Sequence, residues 1–185
     1  MEILTKEELG KRYEEIIERI KSGVVFIHPT DTIYGISCDA TNKRAVKKVR
    51  LIKQRPSAPF SIWAPSKKWI KDNCIVDEKW LKYLPGPYTL IVKLKEKVIA
   101  DNITNTEYVG VRIPDHWFSM VVKDLNHPII TTSANKTGEP FMVSLETLDK
   151  DVEMGVDFMI YEGEKKGKPS TIINTENEEF KGRVK

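Results

Sequence analysis

Hydrophobic positions recur with two different periods along this chain, and the switch between them sketches the fold. Leu9, Tyr13, Ile16, Ile17 and Ile20 follow helical spacing behind Thr5-Lys6-Glu7-Glu8, a capping-box pattern, so a helix is expected that ends at Gly23. A strand over 24–28 comes next, then a polar loop, then a strand around 36–39. From Asn42 onward, Ala45, Val46, Val49 and Ile52 share one helical face, and that helix must stop before Pro56. Residues 60–64 read as a strand, and 66–73 and 77–84 as short helices. Pro85-Gly86-Pro87 is a stiff turn into the alternating strand 88–94. Further strands are expected at 108–113, 128–132, 158–161 and 171–174, with a helix over 116–125 starting at an Asp115 cap. Helices and strands alternate without repeats, long linkers or low-complexity tracts. The expected fold class is therefore α/β (α+β): one domain over residues 1–185, an open mixed sheet with helices packed on it.

Composition narrows the function classes. A chain of 185 residues that is 40% hydrophobic can bury a real core and is not disordered. No apolar run reaches membrane-spanning length, and the acidic, amphipathic N-terminus lacks the basic start and apolar centre of a signal peptide. A cytoplasmic location without a membrane partner is the expectation. The net charge of +3, from 30 Lys and Arg against 27 Asp and Glu, is too small to attract polyanions in bulk, so any such partner must meet a local patch. Cys38 and Cys74 have no metal-ligand spacing and read as small core residues of a reducing compartment. Three scattered His do not make a metal cage or a His-centred triad. Gly163-Glu164-Lys165-Lys166-Gly167-Lys168 looks like a P-loop, but it has one residue too few between its glycines, and Pro169 stands where a helix should begin. It reads as a Lys-rich surface loop.

Candidate chemistry gathers in a few short segments. His28-Pro29-Thr30-Asp31-Thr32-Ile33-Tyr34-Gly35 leaves a buried strand and at once presents hydroxyls and a carboxylate, which suits a ligand and also suits an Asx/ST turn. Tyr34 fits a core aromatic with its hydroxyl at the surface, and Asp31 is a candidate to assist Mg²⁺ or an amine. Lys53-Gln54-Arg55-Pro56 sets two cations at a helix end, where the dipole alone favours them. Pro56 and Pro59 stiffen that segment, and a planar Arg fork beside a mobile Lys suits phosphate oxygens. Arg112 lies in a strand between Gly110 and Pro114. Thr131-Thr132-Ser133-Ala134-Asn135 runs straight out of a strand, where α/β folds place ligand loops, although Ser and Asn are turn residues too. Ser170-Thr171-Ile172-Ile173 puts hydroxyls just before a strand, and His116 and His127 read as structural. Together these describe a site for anions, a nucleotide among them.

Taken in order, the segments resemble the YrdC/TsaC family, the L-threonylcarbamoyladenylate synthases, in single-domain form. The likeness runs from about Leu9 to Arg183. It rests on Pro29-Thr30-Asp31-Thr32-Ile33-Tyr34-Gly35, Lys53-Gln54-Arg55-Pro56, Pro85-Gly86-Pro87-Tyr88-Thr89, Val111-Arg112-Ile113-Pro114-Asp115-His116, Thr132-Ser133-Ala134-Asn135 and Ser170-Thr171-Ile172-Ile173. It implies a YrdC-like twisted sheet around a basic concave cavity. It implies a nucleotidyltransferase that turns L-threonine, bicarbonate and ATP, with Mg²⁺, into L-threonylcarbamoyladenylate and pyrophosphate, the first step of tRNA N6-threonylcarbamoyladenosine (t6A) biosynthesis. Its ATP contacts fall on Lys53, Arg55, Tyr108, Ser133, Asn135, Phe141 and Arg183, with Lys53 and Arg55 catalytic. Its threonine contacts fall on Thr32, Trp63, Arg112, Thr131 and Ser170, with no metal held by the protein itself. The product passes to a tRNA threonylcarbamoyl-transfer complex. One departure is local: after Arg55, Ser57-Ala58-Pro59-Phe60 is a shorter spacer than the family's and lacks its Lys or Asn. The competing reading is a double-stranded-RNA or tRNA-binding module that binds weakly through the same cations. A carbamoyl-transfer domain and an ATP-binding regulatory domain are further alternatives.

Overall fold

The structure, a computed structural model, describes residues 1–182. Among these, the strands are β1 (Glu2–Leu4), β2 (Phe26–His28), β3 (Gly35–Ser37), β4 (Ser61–Trp63), β5 (Cys74–Ile75), β6 (Tyr88–Leu94), β7 (Tyr108–Arg112), β8 (Ile129–Ser133), β9 (Phe158–Ile160), β10 (Thr171–Asn174) and β11 (Glu179–Lys181). The helices are α1 (Lys6–Lys11), α2 (Tyr13–Lys21), α3 (Lys43–Ile52), α4 (Lys67–Asn73), α5 (Glu78–Leu81), α6 (Ser119–Leu125) and α7 (Lys150–Gly155).

Local chemistry sets most of these boundaries. Thr5 and Glu8 form the expected capping box, Asn42 accepts from Arg44 N and Ala45 N, and Ser66 and Asp77 cap the two short helices after β4. The first helix differs from expectation. It is two helices, because the backbone leaves the helical region at Arg12 (φ −117°, ψ 28°). Asp115 is also not a cap. Its N–H donates to Asp31 Oδ2 at 3.0 Å, Ser119 Oγ donates to Pro114 O at 2.8 Å, and the tight turn so formed delays α6 to Ser119. The short β1, β5, α7 and β11 carry too few periodic positions to be foreseen.

The sheet runs β1-β9-β2-β3-β8-β4-β7-β6-β10-β11, with β5 pairing β6. It is mixed: β1–β9, β9–β2, β4–β7 and β6–β10 are parallel and the other pairs antiparallel. Cross-strand partners share a face and neighbours along a strand alternate, so the register sorts every side chain. Ile27, Ile36, Ile130, Ile62, Val111, Leu90 and Ile173 point one way. There they pack with Ala45, Val46 and Val49 of α3, Ile70 of α4, Trp80 and Leu81 of α5 and Val152 of α7. On the opposite face Phe26, Trp63, Ile129 and Phe158 meet Ile16, Ile17 and Ile20 of α2 and Val121, Val122 and Leu125 of α6. Each fully buried side chain of this kind contributes about 1.5–3 kcal/mol. Further along that second face, the same strands present Ser61, Thr89, Gly110, Arg112, Thr131 and Ser133 instead, and there a cavity opens.

Candidate active site

The cavity is a small polar pocket, partly open to solvent. Its floor is the polar stretch of the second face, and its walls are the loop after β2 and residues Pro169 and Ser170 ahead of β10. The floor is flat because Gly110 has no side chain. A Cβ there would stand 2.5 Å from Ser61 Oγ on one side and 3.0 Å from Thr89 Cγ2 on the other.

The wall loop is built around Thr30, which is 1% exposed. Its Oγ1 accepts from Thr32 N at 3.1 Å and Ile33 N at 3.2 Å and donates to Ile33 O at 2.7 Å, an ST turn closed by one hydroxyl. That turn aims Asp31 and Thr32 at Arg112. Arg112 Nη2 donates to Asp31 Oδ1 at 2.6 Å and lies 3.5 Å from Thr32 Oγ1. On the other wall Thr89 Oγ1 and Ser170 Oγ are 2.7 Å apart, both buried.

A strap of residues 162–169 crosses the loop. Gly167 lies so close to it that a Cβ would be 1.9 Å from Thr32 O. Tyr34 Oη donates to Gly163 O at 2.6 Å and accepts from Glu162 N at 3.1 Å, and burial pushes its phenol pKa up to about 12. Glu162 in turn meets His116, Trp117 and Lys165. The P-loop look-alike is thus a Lys-rich surface strap. His116 anchors that strap, and burial lowers its pKa despite Glu162.

A second polar cluster adjoins the cavity at the end of β8. Lys53, at the C-terminal cap of α3 and 1% exposed, donates through Nζ to Ser133 O at 2.6 Å and Asn135 Oδ1 at 2.7 Å, with Ser133 Oγ at 3.3 Å. Ser133 Oγ donates to Asn135 Oδ1 at 2.6 Å. Thr137 closes the arrangement by donating through N and Oγ1 to Lys53 O.

The residues singled out from sequence divide accordingly. Thr32, Arg112, Thr131, Ser133 and Ser170 line one cavity, and Lys53 and Asn135 join it through Ser133. Phe141 is half-buried and precedes Met142, whose N–H bonds Ala134 O beside this cluster. Arg55 turns back on its own loop: Nη2 donates to Pro59 O at 2.7 Å, and its guanidinium carbon is 5.4 Å from the centre of the Phe60 ring. Tyr108 lies elsewhere, donating to Glu176 Oε1 at 2.9 Å in a separate shallow depression with Lys93 and Trp80. Trp63 is fully buried among His28, Phe118 and Phe26 and is not on the cavity wall. Arg183 lies outside the described residues. Asp31 is engaged by Arg112 and Asp115 N and does not face the Lys53 cluster as a ligand pair. Both thiols are buried, and burial pushes their pKa values up, that of Cys74 to about 12, so both are inert. Sequence reasoning placed Thr30 and Thr89 in motifs but gave neither a site role, and it read Ser61 only as part of a strand. For Ser61 and Thr89, period-2 alternation across β4 and β6 was the available signal.

Comparison with known proteins adds independent observations. The Sua5/YciO/YrdC family model, described as telomere recombination, matches residues 18–182. A Methanocaldococcus jannaschii protein, provisionally named a threonylcarbamoyl-AMP synthase, is 38% identical over 96% of this chain and 86% of its own length. The threonylcarbamoyl-AMP synthase of Vibrio campbellii is 30% identical over 88% of this chain and 93% of its own. Among solved structures, P. abyssi Sua5 complexed with L-threonine superposes with a TM-score of 0.82 at 27% identity over 94% of this chain, which spans about half (53%) of that one. Among the described residues no helix is long and apolar enough to cross a membrane.

Proposed function

The chain belongs to the Sua5/YciO/YrdC family, and from that premise we propose that it makes L-threonylcarbamoyladenylate from L-threonine, bicarbonate and ATP, releasing pyrophosphate. The observation that carries this reading is the double position of Ser133, which lines the hydroxyl-rich cavity and also meets Lys53 Nζ. An amino-acid pocket and a phosphate-binding cluster therefore share a wall, as an enzyme joining an amino acid to a nucleotide requires. The relatives' names and the threonine-bound Sua5 point the same way. An RNA-binding module is less well served, because the polar groups of the sheet floor, the Thr30 loop and Ser170 converge on one small pocket, as a compact ligand requires, and not along a duplex backbone.

The chemistry is mostly positioning and charge neutralisation. Threonine's carboxylate takes Arg112 from Asp31, and its hydroxyl turns to the Thr32 and Ser170 walls. The neutral amine attacks bicarbonate carbon, water leaves, and a carbamate forms. A carbamate oxygen then attacks the α-phosphorus of ATP and the bond to pyrophosphate breaks. Lys53, held by Ser133 and Asn135, stabilises charge on the phosphate, with Arg55 reaching it once it releases the Pro59 carbonyl. Mg²⁺ enters on the ATP phosphates. Among the described residues no group of three or more His, Cys, Asp or Glu is placed to hold a metal on its own. The adenylate is the species a tRNA threonylcarbamoyl-transfer complex consumes.

The test is pyrophosphate release with ATP, Mg²⁺ and bicarbonate, with and without L-threonine. Release is expected only with threonine, and release indifferent to threonine overturns the reading. Lys53→Met is expected to lower kcat by about 10²–10³-fold, the usual cost of removing one fixed donor to a developing charge. Because Lys53 is buried and ties α3 to β8, this variant should also melt earlier than wild type.

A further inference from the structure

We propose that Thr89 is a specificity-determining positioning residue, fixing the Ser170 hydroxyl that recognises the side-chain hydroxyl of a β-hydroxy amino acid. The inference rests on the amino-acid pocket proposed above and names what selects its substrate. Thr89 lies one register step beyond the Leu90–Val111 pair of β6 and β7, directly across from Arg112. Side chains so placed have Cβ atoms roughly 5 Å apart. A substrate whose carboxylate is held by Arg112 therefore has its side chain within reach of Thr89 and Ser170.

The hydrogen-bond count at this pair is uneven. Thr89 Oγ1 and Ser170 Oγ are 1% and 2% exposed by residue, sit 2.7 Å apart, and make no other side-chain hydrogen bond among the described residues. Two hydroxyls carry two protons, and one bond between them uses one. Whichever oxygen donates, one O–H is left over at the cavity wall, and buried donors of this kind call for an acceptor. The pair shares one side of the flat floor at Gly110, where Thr89 Cγ2 and Ser61 Oγ leave no room for a Cβ. A substrate carbon beside the Thr89–Ser170 pair that carries a hydroxyl meets the unspent proton. That pattern is a β-hydroxy amino acid and not its aliphatic isostere.

The magnitude of discrimination separates hydrogen bonding from size. A site that bonds a substrate hydroxyl rejects the analogue lacking it by roughly 10⁴-fold, whereas a missing methylene costs only about 10–200-fold. Wild type is therefore expected to prefer threonine over valine far more than threonine over serine in pyrophosphate release. Thr89→Val keeps the shape of the wall and leaves Ser170 unfixed. Its expected result is a fall of about tenfold or more in kcat/KM for threonine, with KM for ATP and the valine rate unchanged, so the threonine-to-valine ratio collapses. Thr89→Ser should restore the ratio. A ratio in Thr89→Val equal to wild type overturns the proposal. If Thr89→Val does not fold, Ser170→Ala reads the same pair and is held to the same ratio. Failure of wild type itself to release pyrophosphate with threonine overturns the underlying function along with this inference, and is a distinct result.

Discussion

The second face of the sheet is divided between an aromatic half and a hydroxyl half, although the same strands run through both. Along β4 the step is from Trp63 to Ser61, and along β8 from Ile129 to Thr131, two residues each. In the aromatic half, rings fill the space: His28 stacks on Phe118 at 5.0 Å and 9°, and Phe26 on Phe158 at 5.1 Å and 5°. In the hydroxyl half the same strands carry Gly110 and small hydroxylated residues in place of rings, and the cavity opens there. Backbone geometry does not distinguish the halves. Side-chain volume and the cover of α2 and α6 do, and the place where the helices stop covering is where polar atoms are free to meet a ligand. Trp63 marks the seam, since its buried Nε1 has no hydrogen-bond partner among the described residues while its strand neighbour in register is Arg112.

The hardest test of this division is Trp63→Ala. If Trp63 belongs to the packed half, deleting it costs about 3–5 kcal/mol, as large core truncations do. In a chain of this length that corresponds to a fall of roughly 10 °C in Tm, while KM for threonine stays within a few-fold of wild type. A large rise in that KM with little change in Tm would make Trp63 a wall of the cavity, and the division would be misplaced. Thr30→Val probes the other half. It removes the hydroxyl that closes the turn and leaves Thr32 N, Ile33 N and Ile33 O without it. The expected loss is about 2 kcal/mol of stability, the cost of stranding buried polar groups, together with a rise in threonine KM as Thr32 and Asp31 lose their aim. Thermal unfolding and steady-state kinetics on the same preparation read both. A variant as stable as wild type would mean the loop is held by the strap at Gly167 instead.

How much of this was legible in the chain follows from the same contrast. Strands with several alternating positions, Tyr88–Leu94 above all, and helices with their own caps were readable because each signal is local. So was the company of Lys53, Ser133 and Asn135 as residue types, though not that Lys53 crosses from α3 to bond the β8 end while Arg55, two residues on, does not. That depends on which way α3 ends. The strap over Thr32 was unreadable because its closest approach uses Gly167 and backbone atoms, which leave no side-chain pattern. Trp63 and Ser61 alternate alike in sequence, and only the helices packed beyond them decide that one is core and the other floor. The late start of α6 goes with the bond from Asp115 N to Asp31, far back along the chain, and Arg12, at the helix break, bonds Glu2 of β1.

His28 offers the finest test, because it sits in the aromatic half yet carries a titratable ring. Nδ1 meets Pro29 O at 3.0 Å and Nε2 meets Ser37 Oγ at 2.6 Å, so the imidazole also holds the first residue of the cavity loop. Burial lowers its pKa from 6.5 to about 3. In the unfolded chain the ring takes a proton near 6.5, and in the folded protein only near 3, so between these values the unfolded state binds more protons. The stabilisation is therefore complete above about 6.5 and is lost as pH falls toward 3. From pH 7 to 5.5 the His28 contribution should decline by about 1 kcal/mol. Other groups titrate in the same range, so the measurement is a difference: denaturant unfolding of wild type and of His28→Gln, each at both pH values. Wild type should lose about 1 kcal/mol more than the variant over that interval. Equal losses would mean the ring titrates near its ordinary value. Water would then reach it, and the packed half would extend less far toward Pro29 than the rings around His28 indicate.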